Sequence, residues 1–159
     1  MTDAPQAPQA PGFAELLEDL EPVFGERLST AATDRDDHAC DVSHHGPRPP
    51  QAVCWPETTL EVVAAVDACR KHLVPLIPYG TGTAVEGGVV AVCGGLCLDT
   101  SRMNRILAVH PRDMDATVQA GVTPLELNRQ LSETETGLFF PVDPGADASL
   151  GGMAATSAS

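Results

Sequence analysis

The chain has 159 residues, enough for one core of ordinary size without disulfide or metal staples. Its 22 acidic residues against nine basic ones give a formal charge of −13, and only 4% of residues are aromatic. Such a surface repels phosphate backbones and anionic lipid and lacks stacking platforms, which excludes the ordinary nucleic-acid and membrane-surface roles. The acid excess is steepest over residues 1–37, with nine acids and two arginines. The remainder is acidic as well, so no basic face hides behind the average. No apolar run is long enough to cross a bilayer. Residues 1–12 carry neither a basic n-region nor an apolar core, which makes a cytoplasmic address the expectation. Five cysteines, an odd number without an export signal, read as reduced thiols.

In chain order, MTDAPQAPQAPG (1–12) reads as a disordered Pro/Ala/Gln tail. Phe13, Leu16, Leu17, Leu20 and Phe24 fall at helical spacing and predict a helix that ends before Gly25. The polar stretch 33–50 starts with a helical turn from Asp34 and continues as loop. Its His38, Cys40, His44 and His45 lack regular ligand spacing and read as solvated. Ala52 to Trp55 is a strand stopped by Pro56. Thr58 and Glu61 form a capping box opening a helix, with Val62, Val63, Val66 and Cys69 on one face. Leu73 to Ile77 is a second strand, which completes a β–α–β unit with parallel strands and a right-handed crossover. Leu96 to Asp99 is a third strand, and residues 106–110 and 116–120 pair as a hairpin. Thr123 and Glu126 form a second capping box, with Pro124 at the first helical position of a helix reaching about Glu135. The chain closes on a Gly/Ala/Ser-rich stretch with no element to finish a core, which reads as the cut end of a longer chain.

Two glycine-rich segments carry the chemistry. In PYGTGTAVEGG (78–88), Gly80, Gly82, Gly87 and Gly88 let several amides converge on one point, a nest for phosphate oxygens. Thr81 and Thr83 add hydroxyls, and Glu86 is expected to point away. A Walker loop is excluded because Lys71 is the chain's single lysine. A Rossmann loop fits poorly, since Gly87-Gly88 leads into a β-like segment instead of a helix. What remains is a loop that holds pyrophosphate by backbone amides alone. In DPGADASLGGMAAT (143–156), Pro144-Gly145 makes a turn, Ser149 offers a hydroxyl, and Gly151-Gly152 permit close backbone approach. The small residues after Gly152 suit a helix start packed on a ligand or on neighbouring backbone. Either loop alone reads as an ordinary tight turn; the pair fits a long diphosphate ligand clamped between two subdomains. Around them the bland readings hold: ion pairs for Arg102 and Arg105, buried thiols for Cys69, Cys93 and Cys97, a turn for Asp113 and Asp115, and core for Trp55.

PYGTGTAVEGG, LDTSRMNRIL (98–107), TVQAGVTPLELNRQL (117–131) and DPGADASLGGMAAT, in that order, resemble the FAD-linked oxidases with a p-cresol methylhydroxylase (PCMH)-type flavin domain. The nearest likeness is to the D-lactate dehydrogenase (cytochrome) and glycolate oxidase FAD-subunit branch. The resemblance implies an α+β fold: a small β–α–β subdomain over 50–100 and the beginning of a larger α+β subdomain over 105–159, truncated. It divides the chain into the tail 1–12, an N-terminal helical segment and loop over 13–49, and an incomplete FAD-binding PCMH-type domain over 50–159. It implies FAD as cofactor, non-covalent because the first loop carries no His. Pro78, Tyr79, Gly80, Thr81, Gly82 and Thr83 would wrap the pyrophosphate. Pro144, Gly145, Ser149, Gly151 and Gly152 would form the second cradle, with Thr156 and Ser159 nearing the flavin. The implied reaction is hydride transfer from a 2-hydroxy acid to flavin N5, with substrate held by residues C-terminal to this stretch. No catalytic residue and no metal ligand is therefore assigned here. The alternative is a truncated, non-catalytic remnant or interaction subunit that keeps the fold.

Overall fold

The computed structural model describes residues 10–142 and 147–158. Helix α1 (Phe13–Phe24) buries Phe13, Leu16, Leu20 and Phe24 along one stripe, as their spacing predicts. That stripe packs on α3 (Thr59–His72) and on one face of a four-stranded sheet, where Ala65, Ala68 and Cys69 meet Ala52, Cys54, Leu96 and Leu98. The expected tail is not wholly outside the fold. Ala10 packs against this core, and Gly12 precedes α1 so closely that a Cβ there would lie 2.5 Å from the His72 carbonyl oxygen. Residues 1–9 lie outside the described residues.

The sheet order is β1 (Leu28–Ser29), β2 (Ala52–Cys54), β4 (Leu96–Asp99), β3 (Leu76–Tyr79). Strands β2 and β3 are parallel, as the β–α–β reading expects, but they are not neighbours. Both pair with β4, which lies between them in a register of Val53 and Ile77 to Cys97. All four residues of β4 are buried, and a strand apolar on both faces takes the centre of a sheet. The antiparallel edge strand β1 is two residues long, too short to leave a pattern. Strand β3 begins three residues later than expected because Leu73, in the left-handed conformation (φ 55°), serves as the C-cap of α3. Pro78 is accommodated because β3 is the other edge of the sheet.

Helix α2 (Ala32–Asp37) begins slightly before the expected turn. Beyond the sheet, β5 (Ile106–His110) and β6 (Asp115–Val118) form the expected antiparallel hairpin. Helix α4 (Pro124–Glu133) starts at the Thr123–Glu126 capping box. It ends two residues early, where the Thr134 hydroxyl donates to the Leu131 carbonyl at 2.6 Å. Val122, Leu127 and Leu131 form a second small core with Ile106, Val109, Val118, Phe140 and Leu150. The last element, α5 (Leu150–Thr156), begins three residues before the expected start after Gly152, with Ser149 as N-cap. Among the described residues no helix is long and apolar enough to cross a membrane.

Arg27 and Glu61 lock the N-terminal segment to α3. The guanidinium reaches the carboxylate at 2.6 and 3.0 Å and also donates to the Trp55 carbonyl at 3.0 Å. Glu61 Oε2 further accepts from the amides of Glu57 and Thr58 at 2.7 and 3.1 Å. The Arg27 hydrogen bond, with help from these amides, outweighs burial and lowers the Glu61 carboxyl from 4.5 to about 2. A depressed carboxyl stabilises the fold fully above its unfolded value and loses that contribution as pH falls toward its folded value. Glu61→Gln should therefore cost about 1–3 kcal/mol at neutral pH in chemical denaturation. It should also flatten the stability loss of the native chain between pH 4.5 and about 2.

Candidate functional site

Strand β3 ends at Tyr79 and gives way to the first glycine loop. Gly82 has φ +69°, and a Cβ there would collide with the Tyr79 hydroxyl. Gly87 has φ +77°, with the His45 ring where its Cβ would sit. Both positions thus need glycine for conformation and for space. The second segment comes to meet this loop: a Cβ on Gly80 would lie 2.6 Å from Ser149 Oγ. Ser149 is buried and accepts from the Gly152 amide at 3.2 Å.

Between the two segments lies a cleft of about 260 Å³. One wall is Gly80 to Glu86, and the other includes Ala148, Ser149, Gly152, Met153 and Thr156. Among the described residues, the amides of Thr81, Gly82 and Thr83 donate to no protein acceptor. The Thr81 and Thr83 hydroxyls lie 3.1 Å apart beside them. Unpaired donors in a loop whose Gly80 and Gly82 are closely approached fit a diphosphate group. Glu86, expected to point away, is among the residues that line the cleft; it is exposed, and its carboxylate accepts from the Val85 amide at 3.2 Å.

Other expected site residues sit differently. Pro78 lies within β3, and Tyr79 supports the loop from behind. Gly151 faces Ala120, where a Cβ would lie 2.7 Å from both the Ala120 Cβ and its carbonyl oxygen, so its smallness seats α5 against the chain before α4. The amides of Leu150 and Gly151 donate there, to Val122 and Ala120 at 2.7 and 2.9 Å. Pro144, Gly145 and Ser159 lie outside the described residues.

Sequence reasoning missed what stands under the loop. His38, read as a solvated loop residue, is buried. Its Nε2 lies 3.0 Å from Asp99 Oδ2 and its Nδ1 lies 2.6 Å from the Asp34 carbonyl oxygen. Both neighbours are acceptors, so both ring nitrogens donate and the imidazole is protonated. The Trp55 indole donates to Asp99 Oδ2 at 2.8 Å, and the Ser101 amide donates to Oδ1 at 2.7 Å. Burial works against both charges, yet the His38–Asp99 hydrogen bond prevails, raising His38 above 6.5 and lowering Asp99 below 3.8. The Tyr79 ring packs on His38 with centroids 4.5 Å apart, which links this pair to Gly82. The signal available in sequence was Asp99 itself, an acid closing the otherwise apolar run LCLD.

The remaining candidates resolve simply. Arg102 lies 3.7 Å from Glu57, and its guanidinium stands over the Trp55 ring. Arg105 donates to the Gln119 side chain at 3.2 Å and pairs with no acid among the described residues. Cys69 and Cys97 are buried, whereas Cys93 is exposed, because it lies in the turn that carries Gly94 and Gly95 toward β4. Trp55 is half-buried, its indole engaged by Asp99. Among the described residues no group of three or more His, Cys, Asp or Glu is arranged to hold a metal.

A raised histidine stabilises the fold below its unfolded value and loses that contribution as pH rises through its folded value. Thermal stability should therefore fall as pH rises from 6.5 through the raised value of His38. In His38→Gln this step should vanish; an unchanged step would assign the titration to another group.

A mixed sheet with a parallel centre, giving onto a cleft between two glycine-rich segments, belongs to a flavin-binding fold of the PCMH type. Residues 50–159 match the family described as FAD binding domain, and the chain belongs to that family, whose cofactor is FAD. A probable mitochondrial D-lactate dehydrogenase of Danio rerio is 48% identical over 134 residues, 84% of this chain and 27% of that protein. The mitochondrial D-lactate dehydrogenase [cytochrome] of Arabidopsis thaliana is 40% identical over 147 residues, 91% of this chain and 26% of that protein. Among solved structures, an alkyldihydroxyacetonephosphate synthase superposes with a TM-score of 0.84 at 26% identity, over 99% of this chain and 32% of that one. The chain thus spans about a quarter to a third of the length of these proteins. The cytoplasmic address expected from the lack of a leader pattern in residues 1–12 is overturned by these relatives, which are mitochondrial proteins.

Proposed function

We propose that the cleft binds FAD non-covalently and that the chain is the flavin-holding part of an oxidoreductase for 2-hydroxy acids of the D-lactate or glycolate type. The observation that carries this reading is the run of unpaired amides at Thr81–Thr83 among the described residues, in the cleft wall that approaches Ser149 so closely that Gly80 has no room for a Cβ. Pro78 and Tyr79 set the start of the loop, and Gly80, Thr81, Gly82 and Thr83 receive the diphosphate. Ser149, Gly152 and Thr156 form the opposite wall, and Gly151 seats it. Residues 50–159 act as the binding unit, and 13–49 pack against it. Bound FAD supplies a hydride acceptor at its N5; the residues here bind and orient it. The described lining of the cleft contains no cationic side chain to hold a substrate carboxylate, so that task falls to residues outside this stretch.

Titrating the purified chain with FAD, followed by quenching of flavin fluorescence, should give saturable binding near one-to-one. Gly82→Val, strained at φ +69° and crowded by Tyr79, should abolish that binding while the helical circular dichroism is kept. Unchanged affinity would remove the loop from the site. The FAD-loaded chain should not reduce a dye acceptor with D-lactate or glycolate, and turnover would place a substrate site within these 159 residues.

A further inference from the structure

We propose that Asp41 is a positioning residue for the flavin loop, carried on a strap of residues 38–48 that precedes the matched FAD-binding region. This rests on the flavin reading of the cleft. The strap crosses the loop and ties it at two points. The Val42 amide donates to the Ala84 carbonyl at 3.0 Å, and the Gly87 amide donates to Asp41 Oδ2 at 2.9 Å. Asp41 Oδ1 meanwhile accepts from the Ser43 amide at 3.0 Å, so one carboxylate joins strap and loop with an oxygen on each. Among the described residues no other hydrogen bond ties residues 84–88 to a segment remote in sequence.

The loop is thus fixed at both ends and left open between them. At its start, Tyr79 stands on His38, the first residue of the strap; at its far end, Gly87 is held by Asp41 and covered by His45. The amides of Thr81–Thr83 lie between these anchors, free to meet a ligand. A loop so rich in glycine loses much conformational freedom when it is ordered. A contact that orders it beforehand removes that cost from binding. Asp41 touches no part of the cleft lining except through the loop, so it acts by position.

The test is FAD titration of the intact chain and of Asp41→Ala, Asp41→Asn and Glu61→Gln, with amide hydrogen exchange of each variant without FAD. Asp41→Ala should weaken FAD binding by about tenfold and speed exchange over residues 80–88. Asp41→Asn keeps an oxygen for the Gly87 amide and should recover most of the affinity. Glu61→Gln, which breaks the remote Arg27 pair, should lower stability and leave FAD affinity within about twofold. Affinity of Asp41→Ala equal to the native chain's would overturn the positioning role. So would an equal loss in Glu61→Gln, which would mark the effect as general destabilisation. Absence of saturable binding by the native chain would instead overturn the flavin reading, and the positioning role with it.

Discussion

The site depends on a carboxylate placed where water cannot serve it. Asp99 closes the central strand, is buried, and stays ionised. A buried charge requires an opposite charge and enough donors to replace its hydration. His38 supplies the charge, and Trp55 and the Ser101 amide supply the donors. To bring His38 there, the chain between α2 and β2 must fold over the ends of β3 and β4. Once it does, the Tyr79 ring has a surface to rest on and the loop that follows has a fixed origin. One electrostatic requirement at a strand end thereby sets the path of the N-terminal segment and the shape of one cleft wall.

Most of the regular structure was legible in the sequence, since it rests on local rules. Both capping boxes, the α1 stripe and the hairpin follow from patterns within a few residues, and the structure holds them where those patterns lie. What was not legible depends on distance along the chain. The place of β4 between β2 and β3 is decided by burial on both faces, which appears only when the sheet is assembled. His38 looked solvated because its neighbours are polar, yet its partner lies 61 positions away. Of the site, the glycine positions declared themselves by composition. The distinction between a glycine facing the cleft, such as Gly80, and one serving only packing, such as Gly151, needed the facing residue to be known.

The fold and its cradle do not by themselves choose a reaction. A mitochondrial dehydrogenase and an alkyldihydroxyacetonephosphate synthase share this architecture with the chain, and their names describe different chemistry. Function is carried by sites grafted on a fold. Here the glycines, Thr81 and Thr83, Ser149 and Thr156 bring amides and hydroxyls to a cleft that Val85, Glu86 and Met153 also line, and the amides and hydroxyls suit a phosphate-bearing group. Discrimination among hydroxy acids belongs to whatever side chains face the reactive end of the bound group.

Pro78 has a consequence for how this chain behaves in company. An open strand edge is a template for another chain, because its free donors and acceptors invite a further strand. On an edge strand, proline is tolerated where its nitrogen faces away from the ladder, so the outer side of β3 lacks one donor midway along its four residues. A second molecule seeking to extend the sheet there would meet a gap in the hydrogen-bonding row, and the opposite edge, β1, offers only two residues. The described sheet is thereby guarded at both margins against adding strands from its neighbours.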